Sequence, residues 1–100
     1  MRLVFMGTPA FARTILAALL EKGPPVVGVV SQPDRPAGRG RRLTPPPVAE
    51  LARERGLPLI QPERPAEPAA LETLRAWSPD VIIVAAYGRI LPPAVLHIPP

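Results

Sequence analysis

The chain has 100 residues, of which 47% are apolar and none is cysteine. It is therefore at most one small globular domain without disulfides or thiolate metal sites, and no apolar run reaches the roughly 18 residues of a membrane span. The net charge of +4 favours an anionic partner without identifying it, and the absence of cysteine and of a leader pattern favours a cytoplasmic protein.

The first 23 residues predict a strand, a tight turn and a helix. The apolar run from Leu3 to Met6 is typical of a strand that is buried on both faces. We expect the Thr8 hydroxyl to cap the helix, with Pro9 at the first helical position and Gly23 at the end. The predicted apolar face of this helix contains Phe11, Ile15 and Leu19.

A second strand is predicted over residues 26–30, where Gly28 indicates the close approach of a neighbouring element. The next stretch is called here the arginine segment, residues 32–42, with the sequence QPDRPAGRGRR. Its glycines, prolines and like charges predict a flexible loop. A helix at residues 48–56 and a short strand at 57–60 follow. Pro58 either makes that strand an edge strand or stands at its start.

A helix at residues 69–77 and a strand at 81–86 complete the alternation, followed by a turn at 87–89 and a helical turn that ends near residue 96. This order predicts an α/β fold, a Rossmann-like parallel sheet with strand order 3-2-1-4 and helices on both faces. Ligands bind such sheets at the carboxyl ends of the strands. Three segments leave that edge: the first turn, the arginine segment and the turn after the fourth strand. We therefore expect a binding site there.

The common catalytic and cofactor motifs do not occur in the sequence. The first turn reads GTPAFA, with one glycine where a dinucleotide fingerprint has three. His97 is the single histidine and is interpreted as structural, because no serine, acid or metal-ligand pattern accompanies it. No catalytic residue and no metal site are therefore predicted in this chain.

Four stretches in this order resemble the amino-terminal part of the methionyl-tRNA formyltransferase family: FMGTPAFA, QPDRPAGRGRRLTPPPV, GLPLIQPE and PDVIIVAAYGRILPPAVL. The resemblance covers essentially the whole chain and implies a formyltransferase-type fold. It also implies transfer of a formyl group from 10-formyltetrahydrofolate to the amine of methionyl initiator tRNA in translation initiation.

The resemblance further implies that residues 1–100 are the amino-terminal portion of the catalytic domain, truncated and without the carboxy-terminal RNA-binding domain. The Asn, His and Asp that such an enzyme needs would lie beyond residue 100. We therefore expect this stretch alone to be inactive.

The family implies folate contacts in the turn after the fourth strand and contacts to the methionyl end in the first turn. The folate residues would be Tyr87, Gly88, Arg89, Ile90, Leu91 and Pro92, and the methionyl-facing residues Gly7, Thr8, Pro9 and Phe11. Alternatively, Ile90 and Leu91 are core anchors after a strand, and Phe11 is a core residue of its helix.

The arginine segment matches a family insertion that engages the acceptor arm of tRNA, and arginine forks suit phosphate. The implied RNA contacts are Arg35, Arg39, Arg41 and Arg42, although Arg35 alternatively holds the base of the loop. The alternative to tRNA binding is that this segment is a solvated basic loop without a specific partner. Two other functions stay open: a related formyltransferase acting on a small amine, and an RNA-binding module without catalysis. No membrane and no DNA partner is expected.

Overall fold

The computed structural model describes residues 1–38, 40 and 42–100 of the chain. The strands are β1 (Leu3–Gly7), β2 (Val26–Val30), β3 (Arg35–Ala37), β4 (Arg42–Thr44), β5 (Leu59–Ile60) and β6 (Val81–Ala85). The helices are α1 (Ala10–Lys22), α2 (Pro47–Glu54), α3 (Pro68–Trp77) and α4 (Pro93–Leu96). Among these described helices, none is long and apolar enough to cross a membrane.

The main sheet is parallel, with the order β5-β2-β1-β6. This is the predicted 3-2-1-4 arrangement, with β5 and β6 as the third and fourth strands. β1 lies between β2 and β6, and each of its five residues is buried. The prediction that the third strand lies at an edge is confirmed, although this strand is only two residues long.

The two faces of the sheet bury two separate apolar clusters. Leu3 and Phe5 of β1 pack with residues of α1 and α2 on one face. Val4 and Met6 point the other way and pack with residues of α3 and with Val95 of α4. Because side chains alternate along a strand, a central strand of this kind requires helices on both faces, as the sequence predicted.

Helix α3 lies unusually close to β2 at Gly28. A Cβ atom on this glycine would overlap the indole ring of Trp77. The predicted close approach at Gly28 is therefore confirmed, and its partner is the last residue of α3.

The start of α1 differs from the prediction in two respects. The N-cap residue is Pro9, and no side chain caps the helix. The Thr8 hydroxyl instead forms hydrogen bonds with the backbones of Tyr87 and Gln32. The buried positions of α1 are Ala12 and Leu16, whereas Phe11 is 69% exposed. The reason is close packing, because a Cβ on Gly7 would lie only 2.8 Å from the Ala12 Cβ. Only a small residue fits against the strand there. The buried positions of α1 are therefore Ala12 and Leu16, each one residue after the predicted Phe11 and Ile15.

The prediction of a loop without strands over the arginine segment is wrong in the part that the structure describes, whereas its predicted flexibility stays a prediction. β3 and β4 form an antiparallel ribbon, in which Arg35 pairs with Thr44, Pro36 with Leu43 and Ala37 with Arg42. The connection contains Gly38 and Gly40, whose φ angles are +70° and +80°, values that glycine adopts without steric cost. Gly38 and Gly40 therefore permit the chain to reverse its direction between β3 and β4. The charges of the segment alone did not indicate this reversal.

Candidate functional site at the carboxyl edge of the sheet

The Thr8 side chain joins the segments that leave the carboxyl edge. Its hydroxyl donates a 2.6 Å hydrogen bond to the Tyr87 carbonyl and accepts a 3.3 Å bond from the Gln32 N–H. The turn after β1, the end of β2 and the turn after β6 are thus held together by one hydroxyl. The predicted convergence of these three segments is confirmed.

A cavity of about 470 Å³ opens beside the turn after β6. Its lining comes from two segments and consists of Arg64, Pro65, Ala66, Gly88, Arg89, Ile90 and Pro92. Four of the six residues predicted to contact folate therefore lie together around one cavity. Ile90 is 95% exposed, so the alternative that it anchors the core is wrong.

The other two predicted residues of this turn, Tyr87 and Leu91, belong to the core beneath it. The Tyr87 ring is 2% exposed and packs in the cluster that contains Val4, Met6 and Val95, with Leu91 at its margin. For Leu91 the core alternative therefore describes the packing. Within the described residues, the Tyr87 hydroxyl has no hydrogen-bond partner.

The environment of Tyr87 favours its neutral form. Burial raises the pKa of the phenol above its ordinary value of 10.0, the nearby Arg89 acts in the opposite direction, and Glu67 raises it further. The phenol thus stays protonated at neutral pH and is not poised to exchange a proton there.

A second cavity, of about 390 Å³, lies between the turn after β1 and the base of the ribbon. Its lining is rich in proline and consists of Thr8, Pro9, Gln32, Pro33, Arg35, Thr44, Pro45, Pro46 and Pro47. Two of the residues predicted to face the methionyl end, Thr8 and Pro9, therefore lie in this wall. Gly7 is buried at a point of close packing, and Phe11 is exposed on the first turn of α1.

The described arginines of the ribbon have different surroundings. Arg35 donates a 3.0 Å hydrogen bond to Gln32 Oε1 and lies 3.8 Å from a Glu63 carboxylate oxygen, as expected of a residue at the base of the segment. Arg42 is exposed on β4. Arg39 and Arg41 lie outside the described residues, so their predicted RNA contacts stay predictions.

Sequence analysis missed a polar network around Gln61. The Gln61 Nε2 donates to the Gln32 carbonyl at 3.2 Å and to Asp34 Oδ1 at 2.7 Å. Arg53 donates to Gln61 Oε1 at 2.7 Å and lies 3.7 Å from Asp34. The signal that could have found this network is positional, because Gln61 follows a strand directly and Gln32 follows one within two residues.

Groups suited to proton transfer or metal binding are scarce at this edge. Across the described part of the chain, no cluster of three His, Asp or Glu side chains could hold a metal ion. His97 is exposed and follows α4 at its C-cap. The arrangement offers apolar walls, guanidinium groups and hydrogen-bond donors, which suit ligand binding.

Comparison with known proteins gives a consistent match over the whole chain. Residues 1–100 match the family described as formyl transferase. The chain is 59% identical over 100 residues to a methionyl-tRNA formyltransferase of Chloroflexus aggregans, covering all of this chain and 32% of that protein. It is 58% identical over 99 residues to one of Dehalococcoides mccartyi, covering 99% of this chain and 32% of that protein. The chain thus spans about a third of the length of the curated relatives that it matches.

Proposed function

This chain belongs to the formyl transferase family, and from that premise we propose that it forms the formyl-donor side of a methionyl-tRNA formyltransferase. The full-length protein transfers a formyl group from 10-formyltetrahydrofolate to the amine of methionyl initiator tRNA, in the cytoplasm, during translation initiation. Residues 1–100 are the amino-terminal portion of its catalytic domain. The observation that carries the proposal is the cavity beside the turn after β6, which gathers Gly88, Arg89, Ile90 and Pro92.

The cavity fits a folate in size and in chemistry. Its volume of about 470 Å³ lies within the range of small-molecule sites, which are mostly apolar with a few placed polar groups. Pro65 and Ile90 offer apolar surface for a pterin ring. Arg64 and Arg89 offer guanidinium groups that pair with carboxylates, such as those of a glutamyl tail. 10-Formyltetrahydrofolate supplies the formyl group, and these residues bind and orient it.

The acceptor side of the proposal uses the segments next to this cavity. We assign the methionyl end to Gly7, Thr8, Pro9 and Phe11, of which Thr8 and Pro9 form a wall of the second cavity. Support comes from the Thr8 hydroxyl, which is bonded to the Tyr87 carbonyl and so keeps this wall beside the folate turn. The arginines of the arginine segment, Arg35, Arg39, Arg41 and Arg42, are assigned to the tRNA backbone.

The test of this proposal is formyl transfer by the full-length protein. Ala66 lines the cavity, and its replacement in the variant Ala66→Trp fills that space. We expect the KM for 10-formyltetrahydrofolate to rise by about ten-fold or more, because a lost ligand contact of about 1.4 kcal/mol corresponds to a factor of ten. The KM for methionyl-tRNA should change much less. Initial rates at varied concentrations of each substrate measure both constants.

A matched control is Ala76→Trp, which places the same indole on an exposed position of α3 outside the cavity lining. It should leave the KM for 10-formyltetrahydrofolate near the wild-type value. If the wild-type protein formylates a small amine but not methionyl-tRNA, the substrate assignment is wrong. If Ala66→Trp and Ala76→Trp behave alike, the cavity is not the folate site.

A further inference from the structure

Gln32 is a buried polar residue that lines the second cavity. It is 9% exposed, and a buried polar side chain needs an explanation. Its backbone N–H bonds to Thr8, and its backbone oxygen accepts bonds from the Ser31 hydroxyl at 3.0 Å and from Gln61 at 3.2 Å. Its Oε1 accepts the bond from Arg35 at 3.0 Å. Four hydrogen bonds therefore hold Gln32 in place.

The carboxamide of Gln32 also borders the space beside Gly88, in the turn that lines the larger cavity. A Cβ built on Gly88 would lie 3.6 Å from Gln32 Cγ and 3.7 Å from Nε2, which are ordinary van der Waals distances. Within the described residues, Nε2 has no hydrogen-bond partner, and leaving a buried donor unpaired is unfavourable. Stability alone therefore does not explain this glutamine, whereas its bonds to Arg35 and Thr8 connect it to two separate segments.

We propose that Gln32 is a positioning residue that couples the arginine ribbon to the turn after β6, so that an RNA backbone and a folate bind cooperatively. This inference rests on the proposed function, which supplies the two ligands. The bond from Arg35 to Gln32 connects the ribbon to the carboxamide. The bond from the Gln32 N–H to Thr8, whose hydroxyl donates to the Tyr87 carbonyl, connects the same residue to the turn.

The sign of the coupling follows from the geometry of Arg35. An arginine carries five N–H donors in a rigid fork. One terminal nitrogen of Arg35 bonds to Gln32, and the other lies 3.8 Å from a Glu63 carboxylate oxygen, an exposed pair that a phosphate can displace. The Arg35 side chain is 52% exposed, so a phosphate can reach the rest of the fork. A phosphate that fixes Arg35 also fixes Gln32 and, through the Thr8 hydroxyl, the turn after β6. The second ligand then loses less conformational entropy on binding, and the cooperativity is positive.

The experiment measures the affinity of the full-length protein for tetrahydrofolate, which carries no formyl group and permits no turnover. Calorimetric titrations are run without tRNA and with saturating methionyl initiator tRNA. For the wild-type protein we expect tRNA to lower the Kd for tetrahydrofolate by about five-fold or more, the usual lower limit for coupled sites. The ratio of the two Kd values reports the coupling independently of either affinity.

Two replacements of nearly equal length separate coupling from packing. Gln32→Met keeps the bulk against Gly88 but removes the acceptor for Arg35, and the Kd ratio should fall to about one. Gln32→Glu keeps that acceptor and should retain the wild-type ratio. If Gln32→Met does not fold, Arg35→Met removes the same bond by changing an exposed side chain. The Kd ratio of that variant should also fall to about one.

A wild-type ratio of one, or a ratio retained in Gln32→Met and Arg35→Met, overturns the coupling. In both cases, binding of tetrahydrofolate and tRNA to the wild-type protein leaves the proposed function standing. Failure of the wild-type protein to bind these ligands overturns the proposed function, and the coupling fails with it.

Discussion

At the scale of single residues, Tyr87 combines a buried ring with a hydroxyl that has no partner among the described residues. Removing that hydroxyl in Tyr87→Phe relieves an unsatisfied buried group, which usually costs about 1–3 kcal/mol. The ring keeps its apolar packing in the variant. We therefore expect the free energy of unfolding at pH 7 to stay equal or to rise by about 1 kcal/mol, as measured by urea denaturation.

The raised pKa of Tyr87 adds a pH dependence with a definite sign. The unfolded chain releases the phenol proton near the ordinary pKa of 10.0, whereas the folded protein holds it to higher pH. The stabilisation is therefore complete below pH 10 and is lost as the pH rises through the folded pKa. Tyr87→Phe should lack this loss. Wild-type and variant stabilities that fall in parallel from pH 9 to 11 would contradict the assignment.

Single residues could be predicted from the sequence where their role is local or intrinsic. Gly28 indicated a close approach because it lacks a side chain. The resemblance named Gly88 and Ile90 as folate contacts, and both line the cavity. The roles of Thr8 and Gln32 were not predicted, because each bonds to a residue far away in sequence, Tyr87 for Thr8 and Gln61 for Gln32. The Thr8 hydroxyl satisfies a carbonyl 79 positions away, and helix-capping rules take no account of such a competitor.

At the scale of elements, the packing of α3 on β2 depends on Gly28. The variant Gly28→Ala introduces a methyl group into the space of the Trp77 indole. Overpacking of this kind costs about 1–3 kcal/mol. We expect that loss in the free energy of unfolding, measured by denaturant titration, and we expect it to shrink when Trp77→Leu makes room. A cost of Gly28→Ala that is equal in both backgrounds would show that Trp77 is not its cause.

The elements were predicted well where the pattern of apolar residues is short and unambiguous. β1, β2 and β6 were found because each is a compact apolar run between turn residues. The ribbon was missed, since its two strands are three residues each and its described β4 residues are exposed. A strand without a buried face leaves no alternation in the sequence, so pairing across glycines had to be seen in the structure.

At the scale of the whole molecule, the topology brings distant segments to one edge. The sheet order β5-β2-β1-β6 places the turns after β1 and β6 side by side, because those two strands are neighbours. The alternation of strands and helices was enough to predict this edge as the binding site. The cavities themselves were not predictable, because their walls include Arg64 to Ala66 and Pro45 to Pro47, whose positions depend on tertiary packing.

The net charge of +4 raises the question of whether RNA binding is general or belongs to the ribbon. The triple variant Arg39→Ala, Arg41→Ala and Arg42→Ala should weaken binding of methionyl-tRNA by the full-length protein. Each lost phosphate contact should also lower the slope of log K against log salt by about 0.7. A matched control removes three charges from the last turns of α1 and α3 and from the residue after α2: Lys22→Ala, Arg75→Ala and Arg55→Ala.

The control lowers the net charge by the same three units but acts away from the carboxyl edge, because the helices run back from it. Binding titrations between 50 and 200 mM salt are therefore expected to separate the two variants by roughly 2 units of slope. If both variants lose the same affinity and the same slope, the attraction arises from overall charge and the ribbon has no special part in it. A loss confined to the triple variant of Arg39, Arg41 and Arg42 means that the arginine segment, which follows β2, binds the RNA.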